Sequence, residues 1–153
     1  MRKIIFTNLA GGLVVVIPVV NTFGEAEGFT EADAEKRAWD TLPSDAINPR
    51  FAVDGEIPTD RTFRNAWIDT DSELTIDMAK ARAIHLNSIR IKRNAELSKL
   101  DIQATKAQDI GDADALTQIR ARKQELRDLP VTLAPTLASA ASVDALKAIQ
   151  PLA

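Results

Sequence analysis

The feature that most constrains this chain is a long helical pattern that begins at Asp77 and is broken only once before Asp128. Apolar side chains recur there at spacings of three and four residues, which places them on one face of a helix. The first helix is predicted to end near Asp109, because Gly111 suits a left-handed C-cap and Asp112 can cap the next helix. Two helices joined by so short a turn are expected to lie antiparallel as a hairpin.

The first of these helices carries two neighbouring stripes with that spacing. One stripe consists of Leu86, Ile89, Arg93, Leu97, Leu100, Ala104 and Ala107. The other consists of Ile84, Ser88, Ile91, Ala95, Ser98 and Ile102. The second helix is expected to run from about Ala113 to Asp128 and to end because of Pro130. Its inward side chains are predicted to be Leu116, Ile119, Lys123 and Leu126.

The sequence before Asp77 predicts a small head that contains strands and one helix. Lys3–Phe6 and Leu13–Ile17 are rich in β-branched and aromatic residues and flank a turn, which is typical of a β-hairpin. Apolar and polar residues do not alternate along Leu13–Ile17, so this strand is predicted to be buried on both faces. The head is therefore expected to be built around this hairpin.

The rest of the head is expected to be a loop, one short helix and a second hairpin. Thr30 resembles an N-cap for a helix that ends near Asp40, with Ala34, Ala38 and Trp39 facing inward and Pro43 beyond its end. The other predicted segments are a loop at Asn21–Gly28, a short strand at Arg50–Val53, and hairpin strands at Phe63–Asp69 and Leu74–Ile76.

Residues after Pro130 are poor in charge and are predicted to form an apolar tail. Ser142 is expected to cap one short helix that reaches Ile149, and Pro151 follows it. The predicted fold class is thus α+β, with a hairpin-rich head, a long antiparallel helical hairpin and a short C-terminal helix. The corresponding domains are residues 1–76, 77–130 and 131–153.

Composition narrows the classes of function that this chain can have. Lys and Arg total 19 against 22 Asp and Glu, which argues against nucleic-acid binding through bulk charge. Cysteine is absent, so a thiolate metal site and a cysteine nucleophile are excluded. No apolar run reaches the length of a membrane span, and the run near the N-terminus is too short to predict a secretion signal. Aromatic residues make up only 5%, which predicts a modest core and stability shared with a partner or a second copy.

Four groups of residues could carry chemistry, and each has a simpler structural interpretation. His85 with Ser88 could serve a hydrolase, but no nucleophile elbow or oxyanion loop accompanies the pair. Asp69, Asp71, Glu73 and Asp77 resemble a calcium loop without its central glycine, so a hairpin turn and a helix cap explain them better. Gly11-Gly12 lacks the sequence of a phosphate loop.

A basic run on the first long helix is the fourth group. It has no aromatic residue beside it, which favours a solvated or paired helix face. This run is Lys80, Arg82, Arg90, Lys92 and Arg93. No catalytic residue, cofactor or metal is predicted.

The segment Ile119–Pro130 resembles the closing motif of phage tail-fibre assembly chaperone-type proteins. The matching residues are Gln124, Leu126, Arg127, Asp128, Leu129 and Pro130. Ala121 lies where that family usually has Tyr or Trp just before the arginine. An upstream segment is similar to small proteins encoded beside tail-fibre genes in phages and prophages. This segment comprises Asp60–Trp67, Asp77-Met78, Lys80-Ala81 and Ile84-His85. For the motif itself, the residues alone predict only that Arg127 interacts with the negative end of the helix dipole and that Asp128 pairs with Arg120 or Lys123.

The resemblance implies a non-enzymatic protein that binds a tail-fibre subunit or another tail protein. It would act in the host cytoplasm during assembly or remain in the tail of the virion. A permanent component that links the fibre to the baseplate is the alternative, and the sequence does not separate the two. The expected partner-binding residues are Leu126, Arg127, Asp128, Leu129, Pro130, Leu133 and Leu137.

Overall fold

The computed structural model describes residues 1–20 and 28–152, and they are arranged as two compact units. The N-terminal unit is Met1–Asp77 and the C-terminal unit is Met78–Ala153. The predicted α+β class is confirmed: strands lie in the first unit and a long helical pair lies in the second. Most of the predicted loop at 21–28 lies outside the described residues.

A three-stranded antiparallel sheet forms the centre of the N-terminal unit. Its strands are β1 (Ile4–Thr7), β2 (Leu13–Val16) and β3 (Ile47–Phe51), in the order β2-β1-β3. The predicted first hairpin is confirmed, with Ile4 opposite Val16 and Thr7 opposite Leu13. β3 contains Pro49, which an edge strand tolerates because one side of its backbone makes no ladder hydrogen bonds.

The strand buried on both faces is β1, and the prediction that Leu13–Ile17 would be buried in this way is wrong. Ile4, Ile5 and Phe6 are all buried although successive side chains point to opposite faces. β2 is only half-buried because it lies at an edge of the sheet, and Ile17 beyond it is exposed. An uninterrupted apolar run therefore did not distinguish the central strand from its neighbour.

One helix and a second hairpin complete the N-terminal unit. Helix α1 (Glu31–Asp40) begins with the predicted Thr30 cap, whose hydroxyl accepts a hydrogen bond from the Asp33 backbone N–H. The second hairpin pairs β4 (Trp67–Asp69) with β5 (Leu74–Ile76), so Phe63–Ala66 lies outside the strand predicted there. Residues 64–66 instead form one short 3-10 turn that buries Ala66.

The C-terminal unit contains the long helices α2 (Met78–Asp109) and α3 (Ala113–Ser139) and the short helix α4 (Val143–Ala148). The predicted turn is confirmed: Gly111 has a φ of 74°, and the Asp112 side chain accepts from the Ala115 backbone N–H at 2.9 Å. The predicted Ser142 cap of α4 is confirmed in the same way by its bond to the Ala145 N–H.

The prediction that Pro130 ends the second helix is wrong. Helix α3 continues through Pro130 and Pro135 to Ser139, so the predicted domain boundary at residue 130 falls inside it. The inward side chains keep spacings of three and four residues across both prolines, and they are buried or half-buried. These side chains are Leu116, Ile119, Lys123, Leu126, Pro130, Leu133 and Leu137. Packing against α2 thus extends along the whole of α3 and outweighs the local preference of proline for a helix end.

Replacing Pro135 with alanine is expected to raise the free energy of unfolding of the C-terminal unit by about 1–3 kcal/mol. Pro135 is exposed within α3, so alanine would restore a helical hydrogen bond without leaving a cavity. Urea denaturation followed by far-ultraviolet circular dichroism measures this change. Pro43→Ala is the control, because Pro43 lies in a loop where alanine only loosens the unfolded chain. An unchanged or lowered stability of Pro135→Ala would argue that the helix stops before residue 135.

Candidate protein-binding surface

The residues expected to bind a partner divide into inward and outward positions on α3. Leu126 and Leu137 are only 2% and 4% exposed, so they belong to the core of the C-terminal unit. Leu129, Pro130 and Leu133 are half-buried. Arg127 and Asp128 are exposed, and they are the members of the motif that a partner can reach most freely.

The charges of this motif are arranged differently from the sequence-based prediction. Asp128 accepts from the Gln124 amide, with N–O distances of 2.9 and 3.0 Å, rather than pairing with Arg120 or Lys123. Lys123 instead reaches across to α2, where its ammonium lies 2.6 Å from the carboxylate of Asp101. Arg127 lies twelve residues before the end of α3, so its interaction with the helix dipole is also not the one predicted.

Two side chains near the start of α2 hold the ends of the other two helices. The guanidinium of Arg82 donates to the carbonyl oxygen of Ala140, at 2.9 Å from Nη2, just after α3 ends. His85 Nε2 lies 3.0 Å from the carbonyl oxygen of Ile149, which follows α4. Because a carbonyl oxygen can only accept, Nε2 must carry the proton in this bond. His85 is buried and acts here as a structural side chain.

The contacts Arg82–Ala140 and Asp101–Lys123 also establish the direction of the hairpin. Moving from residue 82 to residue 101 along α2 corresponds to moving from residue 140 back to residue 123 along α3. The two helices are therefore antiparallel, as the short turn at Gly111 predicted. The predicted stripe of α2 that includes Ile89 and Ala107 faces the seam between α2 and α3, because both side chains are buried.

The second predicted stripe of α2 is on the opposite side of the helix and is exposed to solvent. Ile91 and Ile102 are 63% and 60% exposed. At 100° per residue they lie within about 20° of each other and about 150° from the centre of the buried face. We call this surface the outer stripe: its exposed members are Ser88, Ile91, Ala95, Ser98 and Ile102. It presents aliphatic side chains where a helix normally presents polar ones.

The N-terminal unit contains a charged cluster that the sequence did not reveal. Arg50 binds Asp69 through Nε and Nη2, at 3.1 and 2.7 Å, and also binds both carboxylate oxygens of Glu56. The side chains of Asp69 and Glu56 are only 3% and 9% exposed. Hydrogen bonding to Arg50 lowers the pKa of Glu56, and these bonds raise the pKa of Arg50. Each buried charge is compensated, so removal of one partner would leave an uncompensated buried charge.

Two of the four acidic residues of the calcium-like segment, Asp69 and Asp71, have structural side-chain contacts. Asp69 binds Arg50, and Asp71 accepts from the amide of Asn48 at 3.1 Å in the turn between β4 and β5. Asp71 adopts a φ of 68°, which short polar residues tolerate in turns. Across residues 1–20 and 28–152, His, Asp and Glu form no group of three or more that could hold a metal ion.

No protein-family model matches this chain, and no curated protein or solved structure is significantly similar to it. Within the part of the chain that the structure describes, none of the helices has both the length and the apolar character needed to span a bilayer. The surface features that could serve binding are the outer stripe and the exposed side chains of Arg127 and Asp128.

Proposed function

We propose that this chain is a non-enzymatic binding protein that assists the assembly of a phage tail fibre. The observation that carries the proposal is the exposed outer stripe of α2, which includes Ile91 and Ile102. Exposed aliphatic side chains aligned on one helix face are typical of protein-binding surfaces. The resemblance of residues 119–130 to tail-fibre assembly chaperone-type proteins suggests the kind of partner.

In this mechanism the protein covers apolar surface on a fibre subunit until the subunit trimerises. The seam between α2 and α3 is filled by its own side chains, so the hairpin can remain folded while its outer surfaces bind. Arg127 and Asp128 lie on α3, away from the outer stripe, so they would form a separate polar contact with the fibre subunit. Such contacts add specificity rather than much affinity. Binding would take place in the host cytoplasm.

The alternative is a permanent virion component that links the fibre to the baseplate. Both proposals use the same surfaces and differ in whether the complex persists. Mass spectrometry of purified particles distinguishes them: the chaperone proposal expects the protein to be absent from mature virions. Its presence at a fixed ratio to the fibre would favour the permanent component.

Co-expression with the fibre subunit encoded by the adjacent reading frame tests the proposed function. We expect the soluble yield of the fibre subunit to rise several-fold when this protein is present. A variant that carries Ile91→Ser and Ile102→Ser should lose most of this increase in the soluble yield of the fibre subunit. Equal soluble yields with and without the native protein would refute the chaperone role.

A further inference from the structure

We propose that the outer stripe binds an amphipathic helix whose flanking positions are acidic. This inference rests on the proposed function and specifies the chemistry of the partner. Members of the outer stripe are separated by alternating steps of three and four residues, which is the heptad spacing of helices that pack side by side. The stripe extends over about four turns, long enough for two heptads of a partner helix.

The charge along one margin of the stripe indicates what that partner carries. Lys92, Lys99 and Lys106 are exposed, are spaced seven residues apart, and lie on the same side of Ile91 and Ile102. We call these three residues the lysine edge. Residues that flank an apolar heptad seam lie against the flanking residues of the partner helix. A partner with Glu or Asp at those positions would therefore form ion pairs along the whole lysine edge.

The present contacts of the lysine edge leave it able to exchange partners. Lys99 lies 2.6 Å from Glu96, an exposed pair three residues apart on the same helix. Lys92 approaches the Gln150 amide oxygen at 3.3 Å. Exposed contacts of this kind contribute little to stability, so a docking helix can replace them at small cost.

A second copy of this chain is a poorer occupant of the stripe. Antiparallel pairing of two outer stripes would bring one lysine edge against the other, and like charges would repel. Parallel pairing would bring the lysine edge against the opposite margin, which consists of Asn87, Asn94 and Asp101. Only Asp101 is a carboxylate there, and it is already bound to Lys123. Charge complementarity thus favours a different, acidic helix.

Two synthetic helical peptides test the inference by fluorescence anisotropy with the full chain. Both contain three heptads with leucine at the apolar positions; one has glutamate and the other lysine at every flanking position. We expect the acidic peptide to bind at least tenfold more tightly than the basic peptide, with an advantage that falls as salt is added. Equal affinity for the two peptides, or no binding of either, would overturn the inference.

Charge reversal of the lysine edge provides the sharper test. The variant with Lys92→Glu, Lys99→Glu and Lys106→Glu should prefer the basic peptide over the acidic one. Its matched control reverses three exposed cations of the C-terminal unit that lie outside the lysine edge and should keep the native preference. The control substitutions are Arg90→Glu, Arg120→Glu and Arg122→Glu. If both triple variants change preference alike, general charge rather than the outer stripe determines binding, and the inference fails.

Aliphatic substitutions locate the binding site independently of charge. Ile91→Ser combined with Ile102→Ser should weaken binding of the acidic peptide at least tenfold. Val131→Ser, at a position on α3 that is even more exposed, should leave the affinity for this peptide unchanged. Circular dichroism confirms that each variant is folded. Sedimentation of the native chain and of the double serine variant tests whether a second copy occupies the stripe. A dimer that forms in the native chain and is lost in the variant would identify a second copy as the occupant and overturn the inference.

The outcomes of these experiments separate the inference from the proposed function. If the protein raises fibre solubility but reversal of the lysine edge changes neither that effect nor the peptide preference, the inference fails alone. If the peptide preference reverses as expected but fibre solubility never depends on the protein, the chaperone role fails and the acidic-helix site remains.

Discussion

Arg50→Ala is expected to lower the free energy of unfolding of the N-terminal unit by about 3–5 kcal/mol. The arginine compensates two carboxylates, those of Asp69 and Glu56, which are 3% and 9% exposed. Its removal would leave both charges in a poorly solvated environment without a cation. This cost is larger than the net value of the ion pairs themselves, because burial of an uncompensated charge dominates it.

Tryptophan fluorescence during urea denaturation measures this effect selectively. Both tryptophans, Trp39 and Trp67, lie in the N-terminal unit. Arg64→Ala is the matched control: Arg64 is exposed, so its loss should change the stability by no more than about 0.5 kcal/mol. Similar losses for Arg50→Ala and Arg64→Ala would contradict the structural role assigned to the cluster.

Leu126→Ala is expected to destabilise the C-terminal unit by about 2–5 kcal/mol. Leu126 is 2% exposed in the seam between α2 and α3, so alanine would leave a cavity as well as lose apolar burial. The sequence placed this residue on a partner-binding surface, whereas the structure places it in the core. Far-ultraviolet circular dichroism, which reports mainly on the helices, should show the loss while tryptophan fluorescence does not.

Val131→Ala is the control for this substitution, because Val131 is also aliphatic and is 78% exposed. It should change the stability by no more than about 0.5 kcal/mol. If Leu126→Ala were as stable as the native chain but bound the fibre subunit poorly, the side chain would belong to an interface and the packing of the hairpin would have to be revised.

Local sequence signals predicted the ends of several helices correctly because each depends on neighbouring residues alone. Thr30, Ser142 and Asp112 cap helices through bonds to backbone N–H groups three residues later, and the sequence shows such pairs directly. Gly111 is similar, since a left-handed backbone position favours glycine whatever the surroundings.

Features that depend on tertiary packing were not predictable from the same signals. Pro130 costs a helix about 3 kcal/mol locally, yet burial of a leucine side chain contributes about 1.5–3 kcal/mol, and Leu137 and Leu146 both lie beyond Pro130. Burial of these leucines compensates the cost of the proline, and this becomes evident only when the packing of the helices against one another is known. Arg50 and Asp69 are separated by 19 residues, so no local pattern could indicate that they meet.

The candidate surface was partly predictable. The three- and four-residue spacing of the outer stripe, which contains Ile91 and Ile102, was evident in the sequence, but the two stripes of α2 had similar quality and could not be ranked. Burial separates them, because α3 covers the stripe that contains Ile89 and leaves Ile91 exposed. An apolar pattern predicts that a face will be covered, and the structure is needed to show whether the chain itself covers it.

Cysteine footprinting of the complex with the fibre subunit tests the central claim that the outer stripe is the docking surface. The native chain has no cysteine, so single substitutions report one position each. Cysteines introduced by Ile91→Cys and Ile102→Cys should react rapidly with maleimide in the free protein and at least tenfold more slowly in the complex. The cysteine from Val131→Cys should react equally fast in both. Protection at position 131 with undiminished reactivity at positions 91 and 102 would contradict the account.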